Sequence, residues 1–156
     1  MNIKIIAVGK IKENAFKLAI DEYVKRLSGY CSLSIVEVPA QSIMDDTLAD
    51  KYMDEEAEKI LANIKKHSYI ITLEIEGKSL TSVEFADKLK SLSNDGVNEI
   101  IFIIGGANGL SEKIKKLSDF KLSFSKMTFP HRLARVMLVE QLYRAMKILS
   151  NEPYHK

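Results

Sequence analysis

Apolar residues along this chain fall into two alternating rhythms, short unbroken runs and helical stripes. Residues 3–8 form a run typical of a buried strand. Residues 14–27 then carry Phe16, Ala19, Ile20, Tyr23, Val24 and Leu27 on one helical face, closed by Ser28 and Gly29. A second strand over 31–38 contains Leu33, Ile35, Val36 and Val38 and stops at Pro39. Residues 40–48 read as a loop. An acidic helix over 49–66 has Met53, Ala57, Ile60, Leu61 and Ile64 at helical spacing and leads to a third strand over 69–75. Thr81 and Glu84 have the spacing of a capping box, which opens a helix with Phe85, Leu89 and Leu92 turned inward. After the turn Asn94-Asp95-Gly96, residues 99–104 are apolar at nearly every position, as expected when helices cover both faces of a parallel sheet. Ser111 caps a short helix to Leu117, residues 120–125 make a fifth strand, and residues 131–150 form the last and longest helix. The pattern predicts a single α/β domain over residues 1–156, with a parallel sheet, helices on both faces and ligand sites beyond the carboxyl ends of the strands.

The last helix is apolar nearly all round. Leu133, Val136, Met137, Leu138, Val139, Leu142, Met146, Ile148 and Leu149 leave Glu140, Arg144 and Lys147, with Arg135 and Gln141, as its polar surface. Such a helix needs cover on more than one side, and a homodimer seam is the favoured source of it.

Composition adds exclusions. With 46% hydrophobic and 28% charged residues, the chain is neither disordered nor of low complexity. The single Cys31 forms no internal disulfide, which fits a reducing, cytoplasmic setting, and no apolar segment approaches the roughly 20 residues of a membrane span. The net charge of +2 is unevenly spread: residues 121–156 carry seven Lys/Arg against two Glu, a net +5. Arg132, Arg135 and Lys147 in that stretch are candidate phosphate contacts.

Gly105-Gly106-Ala107-Asn108-Gly109 joins an apolar strand to a capped helix, where main-chain N–H groups can approach a ligand. A dinucleotide fold places its glycines after the first strand, where this chain has Gly9-Lys10-Ile11-Lys12, so that fold is disfavoured. Gly77-Lys78-Ser79 lacks the earlier glycine of a P-loop, since Thr72 stands in its place. His67, His131 and His155 are far apart and have no second ligand at metal spacing, so no metal site is expected.

The segments IKIIAVGK, EYVKRL, ITLEIEGK, FIIGGANGLS, SFSKMTFPH, RVMLVEQLYRA and PYHK occur in that order along the whole chain. Together they closely resemble the ribosomal RNA large subunit methyltransferase H family, a minimal member of the SPOUT class. The resemblance implies a parallel-sheet SPOUT-type fold with a carboxyl-terminal trefoil knot, a homodimer, and S-adenosylmethionine as methyl donor. It further implies methylation at N3 of a pseudouridine in a 23S ribosomal RNA stem-loop, with the assembled ribosome or large subunit as substrate.

Carried onto this chain, the donor pocket is expected from Leu73, Gly105 and the run Phe124, Ser125, Lys126, Met127, Thr128 and Phe129. Tyr154 and His155 are expected to position the base. His155 is the candidate proton acceptor because an imidazole exchanges protons near neutrality. Arg144, oriented by Glu140 one turn before it, is expected to offset negative charge developing on the base. A noncatalytic ribosome-associated RNA-binding protein of the same fold is the alternative.

Overall fold

The two apolar rhythms become a parallel sheet with a helix layer on each side. The computed structural model describes residues 1–41 and 46–156. In chain order the elements are β1 (Asn2–Val8), α1 (Asn14–Leu27), β2 (Ser32–Val38), α2 (Ala49–Leu61), β3 (Tyr69–Ser79), α3 (Ser82–Asn94), β4 (Glu99–Ile104), α4 (Glu112–Lys116), β5 (Phe120–Ser123) and α5 (His131–Leu149). The strand order is β2-β1-β4-β3-β5 and every pairing is parallel.

Alternation along each strand sends residues to two cores. Ile100, Phe102 and Ile104 of β4 pack with Ile3, Ile5 and Ala7 beneath α1, α3 and α5. Ile101 and Ile103 pack with Ile6 and Val8 beneath α2 and α4. The near-continuous apolar run of β4 therefore reflects burial on both faces, each large side chain contributing about 1.5–3 kcal/mol.

Local signals place the helix starts. The Thr81 hydroxyl accepts from the Glu84 N–H at 3.1 Å, and the Glu84 carboxylate accepts from the Thr81 N–H at 2.7 Å. Ser111 accepts from the Ile114 N–H at the start of α4. Each such cap contributes on the order of 1 kcal/mol.

Three boundaries differ most from the sequence reading, and the fifth strand, expected to reach residue 125, ends at Ser123. The helix expected to reach residue 66 ends at Leu61, because the Asn63 amide donates to the Lys59 carbonyl and turns the chain off its axis. Ile64 still packs on the second core from this turn. The loop expected over 40–48 ends in a helical turn at Asp46–Leu48, and its residues 42–45 lie outside the described residues. The third strand runs past 75 to Ser79: Leu73 and Lys78 both pair with Leu122, so residues 74–77 form an excursion around the β5 edge. Gly77 permits this crossing, since a Cβ there would stand 2.8 Å from the backbone of Lys121 and Leu122.

The last helix finds much of its cover within the chain itself, where α1 and α3 flank it. No α5 residue is fully exposed, and Leu133, Met137, Glu140, Gln141, Arg144 and Ile148 remain as a half-buried stripe. Arg135 is not on the polar surface as expected. Its side chain is 1% exposed, with one guanidinium nitrogen 2.5 Å from Glu37 and another donating to the Gly9 carbonyl at 2.8 Å. This pair bolts α5 to the ends of β1 and β2. Glu37→Ala is expected to cost about 3 kcal/mol in urea unfolding, because it strands a buried cation. A loss below about 1 kcal/mol would contradict that role.

Candidate functional site

Three backbone segments converge where the middle of β3 meets the carboxyl ends of β4 and β5. Residues 73–75, 104–109 and 122–129 enclose an apolar cleft of about 540 Å3 including its open mouth, with His131 and Ala134 of α5 closing one side. Most of its surface is hydrophobic, as in small-molecule sites generally. The glycine-rich turn forms one wall. A Cβ on Gly105 would lie 2.6 Å from the Gly109 carbonyl group, and Gly109 itself has φ +78. The turn can fold this tightly only with glycine at both positions.

The cleft gathers Leu73, Gly105, Phe124, Ser125, Met127 and Phe129 of the expected donor pocket. Lys126 and Thr128 are exposed on the same loop and stand outside the wall. The loop is shaped locally: Ser125 Oγ accepts from the Met127 N–H at 3.0 Å, and Ser123 Oγ bonds the carbonyls of Ile75 and Ser125. Met127 is 72% exposed and lines the mouth of the cleft. Sequence reasoning missed Ser123, His131 and Ala134. The only available signal was their position at strand and helix ends facing the glycine turn.

His131 is half-buried, and its ring has no hydrogen-bond partner among the described residues. Burial, then the neighbouring Arg132 and Arg135, hold its imidazole below the ordinary value. It also lines a second hollow on the far side of the turn, together with Gly106, Lys10, Lys12 and Arg132.

Glu140, Arg144 and Tyr154 form a separate cluster. Glu140 Oε1 accepts from Arg144 Nε at 3.0 Å, Arg144 Nη2 at 2.5 Å and the Tyr154 hydroxyl at 3.2 Å. Its other oxygen accepts from the Gln141 amide at 2.7 Å. The carboxylate is thus fully engaged and fixes the guanidinium, raising the Arg144 pKa further. The Tyr154 ring stacks edge-on against Tyr143 at 4.9 Å, beneath the Arg144 guanidinium at 4.7 Å. Burial, the Tyr23 hydroxyl at 3.4 Å and Glu140 push the Tyr154 phenol well above its ordinary value, so it acts as a donor at neutral pH. His155 follows, exposed and without a hydrogen-bond partner among the described residues.

The two groups do not meet within one chain. No residue beyond Ala134 lines the cleft, and Arg144 lies ten residues further along α5, about 15 Å by helical rise.

The basic carboxyl end is largely engaged internally. Arg132 pairs with Glu13, Arg135 with Glu37, Arg144 with Glu140, and Lys147 with Glu152. Lys121 lies 3.7 Å from the buried Glu74. Arg135 is therefore unavailable to phosphate, contrary to expectation, because its guanidinium is buried in the core. Lys147 is mostly buried and also bonded to the Tyr30 hydroxyl at 3.2 Å.

Other chemistries find no footing among the described residues. No three His, Cys, Asp or Glu side chains cluster to hold a metal ion, and no helix is long and apolar enough to cross a membrane. Cys31 is buried, which pushes its thiol above the ordinary value and disfavours the nucleophilic thiolate.

A family model described as "Predicted SPOUT methyltransferase" matches residues 1–155. A ribosomal RNA large subunit methyltransferase H of Clostridium botulinum (strain Kyoto / Type A2) is 52% identical over 159 residues, with all of both chains covered. A protein of Methanococcus maripaludis that carries the same name provisionally is 54% identical, again over the whole of both chains. A Legionella pneumophila structure, provisionally assigned as a methyltransferase and solved with bound SAM, shares the fold at TM-score 0.50 and 11% identity. That match covers 96% of this chain and 66% of the other.

Two expectations follow from the geometry of the cleft. Gly105→Ala is expected to lower stability by at least about 2 kcal/mol, because its Cβ overlaps backbone, whereas Gly29→Ala changes it by under about 1 kcal/mol. Equal denaturant midpoints for the two variants would contradict the tight crossing. The depressed His131 pKa means that its proton binds the unfolded chain better. Its stabilising contribution is complete above the ordinary imidazole value and is lost as pH falls through the folded value. His131→Asn should flatten that part of the stability–pH curve; a superimposable curve would contradict the assignment.

Proposed function

Since the chain belongs to the ribosomal RNA large subunit methyltransferase H family of SPOUT methyltransferases, we propose that it transfers a methyl group from S-adenosylmethionine to N3 of a pseudouridine in a 23S ribosomal RNA stem-loop. The assembled ribosome or large subunit is the substrate, and the setting is the cytoplasm. The observation that carries this reading is the cleft itself, a glycine-tight pocket of apolar side chains at the carboxyl edge of a parallel sheet.

The residues present fit the donor. The Gly105 cradle has no space for a Cβ, so main chain can come close to a ligand there. Leu73, Phe124 and Phe129 supply apolar faces for an adenine ring, and the main chain of the 122–129 loop can read its polar edge. When bound, S-adenosylmethionine supplies a sulfonium methyl that is already a strong electrophile. The protein's task is to align an acceptor nitrogen with that methyl and to help it lose its proton. The close crossings at Gly77 and Gly105 support a trefoil knot built from these same segments.

The acceptor side falls to the tail cluster. Arg144, held by both Glu140 and the Tyr154 ring, offsets the negative charge that grows on the base as N3 is deprotonated. Tyr154 stays protonated and donates a hydrogen bond, and the exposed His155 accepts the N3 proton. Because this cluster lies about 15 Å along α5 from the cleft, it serves the cleft of a second copy. Two-fold pairing across the half-buried stripe from Leu133 to Ile148 would set one helix's carboxyl half against the other's amino end.

A labelled-methyl assay on intact ribosomes, separated subunits and free ribosomal RNA tests the reading. Label is expected in a particle containing the large subunit, with little in the free RNA. His155→Ala should slow single-turnover transfer on the order of 10²-fold or more while leaving donor affinity unchanged in calorimetry. Donor binding without any methyl transfer would establish the noncatalytic alternative. Full single-turnover rates in His155→Ala would remove that residue as proton acceptor.

A further inference from the structure

The cations that the sequence offers to phosphate are mostly engaged in internal pairs, so the nucleic acid must find its charge elsewhere. The second hollow supplies it. Lys10 and Lys12 are exposed on its rim and have no ion-pair partner among the described residues. Their backbone is held in place. Gly9, with φ +87, turns the chain off β1; its N–H donates to the Val38 carbonyl at 2.8 Å and its own carbonyl accepts from Arg135 at 2.8 Å. The buried Arg135 thus fixes the base of the arm that carries both lysines. Glu56 is the one carboxylate among the lining residues described; its Oε1 accepts from the Gln41 N–H at 2.9 Å, and its single negative charge is outweighed by Lys10 and Lys12.

The hollow also has the right neighbour. Gly106 and His131 line both it and the donor cleft, so the two spaces share a wall only one backbone turn thick. A strand lying in the hollow is therefore beside the donor. Tyr52 adds a half-buried aromatic face on which a flanking base can stack.

We propose that this hollow seats the sugar–phosphate backbone of the acceptor RNA, with Lys10 and Lys12 as its phosphate contacts and His131 at the boundary between acceptor and donor. The inference rests on the methyltransferase reading above and specifies where its RNA lies. It replaces Arg135 and Lys147 as phosphate contacts with a pair of lysines at the opposite end of the sequence. Contacts of this kind set affinity and register without reading sequence.

Binding of the fluorescently labelled protein to purified large ribosomal subunits, measured across a potassium chloride series, tests it. Lys10→Ala/Lys12→Ala is expected to weaken binding at least about tenfold and to flatten the log Kd against log salt slope by roughly 1.5, close to two lost phosphate contacts. The charge-matched pair Lys90→Ala/Lys116→Ala, exposed on α3 and α4, should leave the slope unchanged. Donor affinity by calorimetry should be the same in all three proteins. Equal slopes for the two double variants would overturn the inference, since net charge alone would then explain binding. A change in sedimenting mass in Lys10→Ala/Lys12→Ala would also overturn it, because a second copy would then fill the hollow. Wild-type protein that methylates ribosomes while the Lys10/Lys12 variant binds them normally defeats this inference alone. Wild-type protein that neither binds nor methylates defeats the functional reading and the inference together.

Discussion

A helix is a rigid ruler, and the nineteen residues of α5 set the distance on which the rest of this structure depends. Its amino end closes the cleft with His131 and Ala134, while its carboxyl half carries Glu140 and Arg144 and receives the returning Tyr154. Helical rise alone keeps these ends apart, and α1 and α3 flank the helix. On the proposed reading, in which an acceptor base, a guanidinium and a methyl donor meet, one such helix does not suffice. Under the proposed two-fold pairing, two helices running in opposite directions would set each end against its complement.

Charge distribution obeys a related economy. The carboxyl-terminal excess of cations looks like a nucleic-acid surface in the sequence, yet most of it anchors α5 and the tail. Arg132 and Arg135 reach Glu13 and Glu37 on the first half of the chain, and Lys147 and Arg144 hold the tail through Glu152 and Glu140. Mutual pairing fixes the geometry of α5 and the tail, and on the proposed reading it leaves contact with RNA to cations that have no such task. In a protein this small the division is economical, since a guanidinium in the core cannot also bind a phosphate.

Much of this was legible from one sequence. The strands 99–104 and 3–8 were readable because burial on both faces leaves an unmistakable apolar run. The Thr81 and Ser111 caps were readable because they are local chemistry. The resemblance supplied the cleft residues, and the structure gathers all but Lys126 and Thr128 into one wall. What escaped was non-local. The excursion of residues 74–77 depends on a crossing with β5 nearly fifty residues later, and nothing in Glu-Gly-Lys announces it. The burial of Arg135 depends on Glu37, 98 positions away, so helical periodicity gave an arginine to the surface that belongs to the core. Tyr23, which supports Tyr154, looked like ordinary core on α1 for the same reason.

In the proposed mechanism each working site takes its cleft from one copy and its tail from another. Mixed dimers test it most directly. Leu73→Trp, which fills the cleft, and His155→Ala are each expected to retain about a hundredth of wild-type methylation or less on their own, and refolding them together is expected to produce dimers in which one site has a native cleft and a native tail. The mixture is expected to recover about a quarter of wild-type methylation, half the dimers being mixed with one working site in two. A mixture that stays as inactive as its parents would contradict a shared site and show that cleft and tail must belong to the same chain.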